Sequence, residues 1–257
     1  MLFPMELTLK MALIVVVGVF FAGFVDGIAG GGGLISVPAY LLAGLPAHLA
    51  LGTNKLSSCI GTSVSTARYI RSGYINWRLG IPSAALALLG AHLGTRLQLA
   101  VDERYIKGML LLVLPLAAAV VLRKRALPEE GGEIAPRHQA AIVLLASLLI
   151  GAYDGFYGPS TGSFLLLAYC ALGKLDLRTA SGNVKLVNLS SNFSALLTSL
   201  ANGKVFLALG LLAAVTSIAG HYLGSGLAIK DGAKVVRPVI LTVLALLAVK
   251  ILMELIG

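Results

Sequence analysis

Ten apolar stretches, at roughly 11–29, 34–43, 53–70, 79–98, 106–122, 139–157, 163–172, 184–201, 205–224 and 235–256, fill most of this chain and limit its possible folds more than any other feature. Several approach the roughly 20 residues that cross a hydrocarbon layer of about 30 Å. Inside lipid each backbone polar group must find its hydrogen bond within the protein, so lone apolar segments of this length fold as helices. Composition agrees: of 257 residues, 58% are hydrophobic and 12% charged, against about 25% charged in a soluble domain. An all-α polytopic membrane protein follows, with no stretch left over for a water-soluble domain. Function then belongs to the bundle and its loops, which disfavours a nucleic-acid-binding module and most soluble enzymes. The net charge of +9 is what basic cytoplasmic loops produce. Cys59, Cys170, His48, His92, His138 and His221 show no disulfide or metal-ligand spacing, so no metal or other cofactor is expected.

A polar break at 123–138, carrying Arg123, Lys124, Arg125, Glu129, Glu130 and Arg137, leaves five stretches on each side. The sides match. An offset of 128 carries Gly23, Asp26, Gly27 and Gly30 onto Gly151, Asp154, Gly155 and Gly158, and an offset of 130 carries Ala50, Gly52, Lys55 and Leu56 onto Ala180, Gly182, Lys185 and Leu186. The second offset also places Gly73, Gly80, Gly90 and Gly94 on Gly203, Gly210, Gly220 and Gly224. Glycines and charges repeating in register point to an internal duplication, with a first membrane repeat at 1–122, a cytoplasmic linker at 123–138 and a second repeat at 139–257. The first stretch, half of a paired feature, is read as a retained span and not as a cleaved signal.

If all five segments of each half cross, the loops near 71–78, 123–138, 173–178 and 225–237 share one side. That side holds twelve Lys and Arg, against six on the other, the bias expected of a cytoplasmic face. An odd number of crossings per half makes the repeats inverted, an architecture of secondary transporters. The second stretch of each half is too short to cross at 1.5 Å per residue. It is expected as a half-helix or as part of a re-entrant pair, giving eight to ten membrane segments with short or broken helices near the centre.

Two constellations carry candidate chemistry. Asp26 and Gly27 precede Gly30, Gly31, Gly32 and Gly33, and Asp154 and Gly155 precede Gly158, Pro159, Ser160, Thr161 and Gly162. Glycines that break a membrane helix uncover backbone N–H groups, which can point at an anion. The same glycines would also serve a bend or close helix packing. No Gly-Lys-Ser/Thr follows, so a nucleotide-binding loop is not expected. In the second constellation Thr53 and Asn54 precede Lys55, and Lys55, Ser58 and Thr62 share one helical stripe, as do Lys185, Asn188 and Asn192, with Asn183 just upstream. A lysine with hydroxyl and amide donors on one face can hold an oxyanion; alternatively each lysine snorkels to the head groups. Asp26 and Asp154 are candidates to carry a coupling proton or to cap the broken helices.

With these residues in view, the run FAGFVDGIAGGGGLISVPAYLLAGLPAHLALGTNKLSS at 21–58 and the run GAYDGFYGPSTGSFLLLAYCALGKLDLRTASGNVKLVNLSSN at 151–192 resemble the sulfite exporter family TauE/SafE. The second run is similar to its bacterial inner-membrane branch of transporters of unknown substrate. The resemblance implies that the family's glycine motif falls on Gly27, Gly30, Gly31, Gly32 and Gly33 with Pro38, and its small-polar motif on Gly52, Thr53, Asn54 and Lys55. Their counterparts are Gly155, Gly158, Gly162, Gly182, Asn183 and Lys185. The second half departs from the pattern at Pro159, Ser160 and Thr161, and at Leu167 and Ala168 where a proline is expected. The resemblance implies a small anion as substrate, sulfite or an organosulfur species. The expectation is a non-enzymatic, multi-pass secondary transporter of the bacterial plasma or inner membrane, working by alternating access with possible proton coupling. A passive anion channel and a non-catalytic subunit of a larger complex are the competing readings.

Overall fold

The computed structural model describes residues 7–102, 131–240 and 242. The stretch 106–122, the charged break from 123 to 130 and most of the stretch 235–256 lie outside the described residues. Within them the chain is helical, with α1 (Leu9–Ala29), α2 (Gly33–Leu42), α3 (Ala47–Arg71), α4 (Trp77–Ala100), α5 (Pro136–Phe156), α6 (Thr161–Leu167), α7 (Leu177–Ala201) and α8 (Leu207–Asp231). A π-helical turn at Ala168–Leu172 extends α6. It begins where the second half lacks the counterpart of Pro38, which sits inside α2. Residues 136–138, assigned from sequence to the linker, form the first turn of α5 with Pro136 at its N-terminus, a position where the missing N–H costs nothing.

The short second stretches fold back. Gly30 takes a left-handed conformation (φ 76°) and its N–H bonds to the Asp26 carbonyl at 2.9 Å, closing α1. α2 then returns beside α1. A Cβ on Gly18 would fall 2.5 Å from that of Ala39, and Met11, Val15 and Val19 cluster with Tyr40, Ala43 and Leu45. The second half does the same after Gly158 (φ 96°) and Pro159. Ser147 and Tyr169 share a 2.6 Å hydroxyl contact, and Gln139 donates to the Gly173 carbonyl at 2.7 Å. In both places a short helix folds back on the long helix before it, forming a helical hairpin.

α3 and α7 run through the middle, side by side. Their buried positions are unusually polar: Thr53, Asn54, Lys55 and Ser57 on one, Asn183, Lys185, Asn188 and Ser191 on the other. Polar side chains placed in a membrane bundle face inward because lipid offers them no partner. The outer helices carry the hydropathy instead. Among the described residues three helices, α1, α5 and α8, are both long and apolar enough to cross a membrane. α1 packs on α8 and α5 on α4, while α8 also packs on α3 and α4 on α7. Exchanging the first four helices for the last four carries each of these pairings onto another. Gly220 and Gly224 of α8 let the backbone of Phe20 and Phe24 approach, and Gly90 and Gly94 of α4 do so for Leu148 and Ala152. The four glycines make the close helix contacts that small residues permit in lipid.

The two ends of the bundle differ. At one, the turn after α2 sits with the turn after α7: Phe206 N–H donates to Thr53 Oγ1 at 2.9 Å, and Leu45 and Leu49 pack with Leu209. At the other, Arg178 donates to the Tyr74 hydroxyl at 3.2 Å, and Arg68 stacks over the Tyr222 ring at 4.2 Å. Arg68, Arg71, Lys174 and Arg178 gather at this second end.

Candidate functional site

The tips of the two hairpins meet in the middle of the bundle. Ser163 N–H donates to the Gly30 carbonyl at 3.2 Å, and its hydroxyl donates to the Ala29 carbonyl at 2.9 Å. Gly30 and Gly162 are backbone to backbone, and a Cβ on either would collide with the other. Beside this contact lies a cavity of about 30 Å³ lined chiefly by polar groups. About 10–15 Å³ of such space holds one water, so the cavity suits a small ion and not a sugar or nucleotide.

The two lysines lie deep. Lys55 and Lys185 each stand eight residues into a 25-residue helix, about 12 Å from its end at 1.5 Å per residue. Their exposures of 5% and 2% place both side chains inside the bundle. Each is neutralised by an acid of the other half. Lys55 Nζ is 2.9 Å from Asp154 Oδ1 and donates to Asn192 Oδ1 at 3.1 Å. Lys185 Nζ donates to the Asp26 backbone carbonyl and stands 3.8 Å from Asp26 Oδ2.

The two carboxylates are held differently. Asp154 receives Lys55 and the Thr161 hydroxyl (2.8 Å) on Oδ1 and the Ser191 hydroxyl (2.6 Å) on Oδ2. Such complete hydrogen bonding offsets much of the cost of burying a charge. Asp26 accepts the Gly32 N–H on Oδ1 at 3.3 Å, but among the described residues its Oδ2 has only Lys185 at 3.8 Å and His221 Nε2 at 3.6 Å. Its side chain is 19% exposed, against 5% for Asp154.

Most residues singled out from sequence meet at this cavity. Asp26, Gly30, Gly32, Gly33, Asn54, Lys55, Ser58, Asp154, Gly158, Thr161 and Asn188 all line it. Asn188 Oδ1 is buried there with no hydrogen-bond partner among the described residues. Five residues stand elsewhere. Thr53 caps α8, Gly31 faces a separate apolar pocket beside Leu34 and Pro238, and the Ser160 hydroxyl is buried at a left-handed turn. Asn183 packs against Gly80 on α4, and Lys185 stands behind Asp26, off the cavity wall. Sequence reading missed His221, Ser191 and Ser217. His221 carried a signal that histidine spacing could not show: it is an ionisable residue inside an apolar helix, where the matched position of the first half is Ala91. Among the described residues no group of three metal ligands converges.

Helices long and apolar enough to span, hairpins joined tip to tip, and buried ion pairs around a central cavity are the make-up of a polytopic membrane protein. The chain belongs to the sulfite exporter TauE/SafE family, whose profile matches residues 15–251. It is 35% identical over 251 residues to the probable membrane transporter protein ORF9 of a Sinorhizobium species, covering 97% of this chain and 95% of that one. The probable membrane transporter protein YfcA of Escherichia coli K12 is also 35% identical, over 91% of this chain and 86% of its own. A probable membrane transporter protein of Haemophilus influenzae is 32% identical over 95% of both chains. No solved structure matches with significance. Membership makes this a multi-pass, non-enzymatic transporter of the bacterial inner membrane type.

Proposed function

We propose that the protein is a secondary carrier of a small anion, sulfite or an organosulfur species, that works by alternating access and couples transport to protons through Asp26 or Asp154. The observation that carries this reading is the pair of lysine–aspartate contacts, each made between the halves, with Lys55, Asp154 and Asp26 lining the cavity where the hairpin tips meet and Lys185 behind Asp26. With both acids ionised the four charges cancel. Protonating one acid leaves a net positive charge at the cavity, and an anion entering then restores neutrality. Proton and anion therefore favour each other's binding, the reciprocal linkage that coupling requires. The exchange symmetry of the helix pairings and the opposite ends from which the hairpins enter support two inverted halves that rock about this site.

The test is flux into liposomes holding purified protein, with sulfite, sulfate, sulfoacetate, acetate and chloride, beside Lys55→Ala and Lys185→Ala. Saturable uptake with counterflow, lost in both variants while the fold survives, is expected. Unsaturable flux without counterflow would show a passive channel instead. No flux of any anion from folded protein would overturn the carrier reading.

A further inference from the structure

The cavity's two half-sites are equivalent in the repeat but differ in chemistry. Ser191, whose hydroxyl donates to Asp154, corresponds at the offset of 130 to Gly61; His221, which faces Asp26, corresponds to Ala91. The two differences fit each other in space. A Cβ on Gly61 would lie 2.9 Å from His221 Nε2 and closer still to the ring carbon beside it and to Ser217 Oγ. Glycine at 61 therefore makes room for the imidazole in one half, and alanine at 91 with serine at 191 closes that room in the other. The ring is fixed from behind by Ser65, whose hydroxyl is 2.7 Å from Nδ1, so that Nε2 is turned to the carboxylate. The charged or titratable groups facing Asp26 are His221 from α8, Lys185 from α7 and, across the cavity, Lys55 from α3 and Asp154 from α5.

We infer that the coupling proton is carried at one half-site only, by the Asp26–His221 pair, while Asp154–Lys55 stays ionised as a fixed link between the halves. The inference rests on the carrier reading and narrows it. Two titratable groups in unlike settings divide the roles between them. Asp154 has both oxygens occupied by three close donors, and neutralising it would strand the Lys55 ammonium and idle two hydroxyl donors. Among the described residues Asp26 has one oxygen with no partner nearer than 3.6 Å, it reaches the cavity, and an imidazole stands next to it. A proton entering from the cavity settles on Asp26 Oδ2 or on His221 Nε2, and no other bond forms or breaks. Either way the pair gains one positive charge, the Lys185 ammonium is no longer balanced, and the cavity favours an anion. When the proton leaves, the lysine–aspartate contact is restored and the anion loses its counter-charge.

The test exploits the repeat itself. The double variant Gly61→Ser with His221→Ala gives positions 61 and 221 the residues that stand at their counterparts 191 and 91, so that a hydroxyl replaces the imidazole beside Asp26. Wild type, this double variant and Asp26→Asn are compared in liposomes, reading sulfite and sulfoacetate uptake together with proton movement under one imposed pH gradient. The substrate's own titration is then common to every sample. Protons moved per anion should be lost in the double variant and in Asp26→Asn, with the remaining uptake insensitive to the gradient. An unchanged ratio in the double variant would overturn the inference and leave the carrier reading standing, whereas wild-type uptake without proton movement would overturn the inference together with the proton coupling of that reading. No wild-type uptake of any anion would overturn the carrier reading and this inference with it.

Discussion

The chemistry of single residues is concentrated in the lysine–aspartate contacts. Lys55 and Asp154 are buried together with Asn192, Thr161 and Ser191 completing their hydrogen bonds. Removing one member of such a pair strands the other charge, which costs about 3–5 kcal/mol, whereas replacing both by apolar groups is often neutral. Lys55→Met should therefore lower the thermal unfolding midpoint sharply, and Lys55→Met with Asp154→Leu should recover most of the loss. Ser191→Ala, which removes one hydrogen bond to a charged group, should cost about 1.5–3 kcal/mol. Thermal unfolding of detergent-purified protein measures all three. A double variant no more stable than Lys55→Met would refute the pairing. The sequence placed a lysine and an acid in each half, and helical spacing put Ser58 and Asn188 on the correct stripes. It could not show that Lys185 stands behind Asp26 or that Asn183 turns toward α4, because both depend on which helix lies opposite.

At the scale of elements, the helix breaks decide the architecture. Gly30 combines a left-handed φ with a contact to Gly162 that admits no side chain, whereas Gly44 is left-handed (φ 91°) with nothing within 4 Å of an added Cβ. The left-handed conformation alone costs a non-glycine residue roughly 1–2 kcal/mol. Gly44→Ala should be destabilised by about that much and still transport. Gly30→Ala should lose considerably more stability and reduce uptake, because the hairpin tips can no longer touch. Unfolding midpoints and liposome flux of the two variants separate the contributions, and equal losses would contradict the tip contact. The breaks were legible as glycine clusters following an aspartate. Whether the chain then continued across the membrane or turned back was not, since a helix of 10 residues spans about 15 Å in either direction.

For the whole molecule, the ends of the bundle set a sidedness. The exposed turns at Gly44 and Gly203 share one end, and those at Gly73 and Lys174 share the other, which is rich in arginine and lysine. The positive-inside bias assigns that basic end to the cytoplasm. Cysteine introduced at 44 or 203 in a background lacking Cys59 and Cys170 should react with an impermeant maleimide on intact cells. Cysteine at 73 or 174 should react only after permeabilisation. Labelling of 44 and 174 from the same side would contradict the arrangement.

Taken alone, the amino-acid sequence determined the all-helical membrane class, the positions of the apolar helices among the described residues and the repeated Gly, Asp and Lys signature, because hydropathy and glycine propensity act along the chain. The tertiary structure decided the partnerships. Asp26 is nearer in sequence to Lys55, and Asp154 to Lys185, yet each lysine meets the acid of the other half. The reason is geometric: a hairpin carries its acid at the tip, the tip ends at the centre of the bundle, and the central helix waiting there belongs to the opposite half. The same packing brought His221 to Asp26 through the space left by Gly61, a relation between three helices that no spacing along one of them expresses.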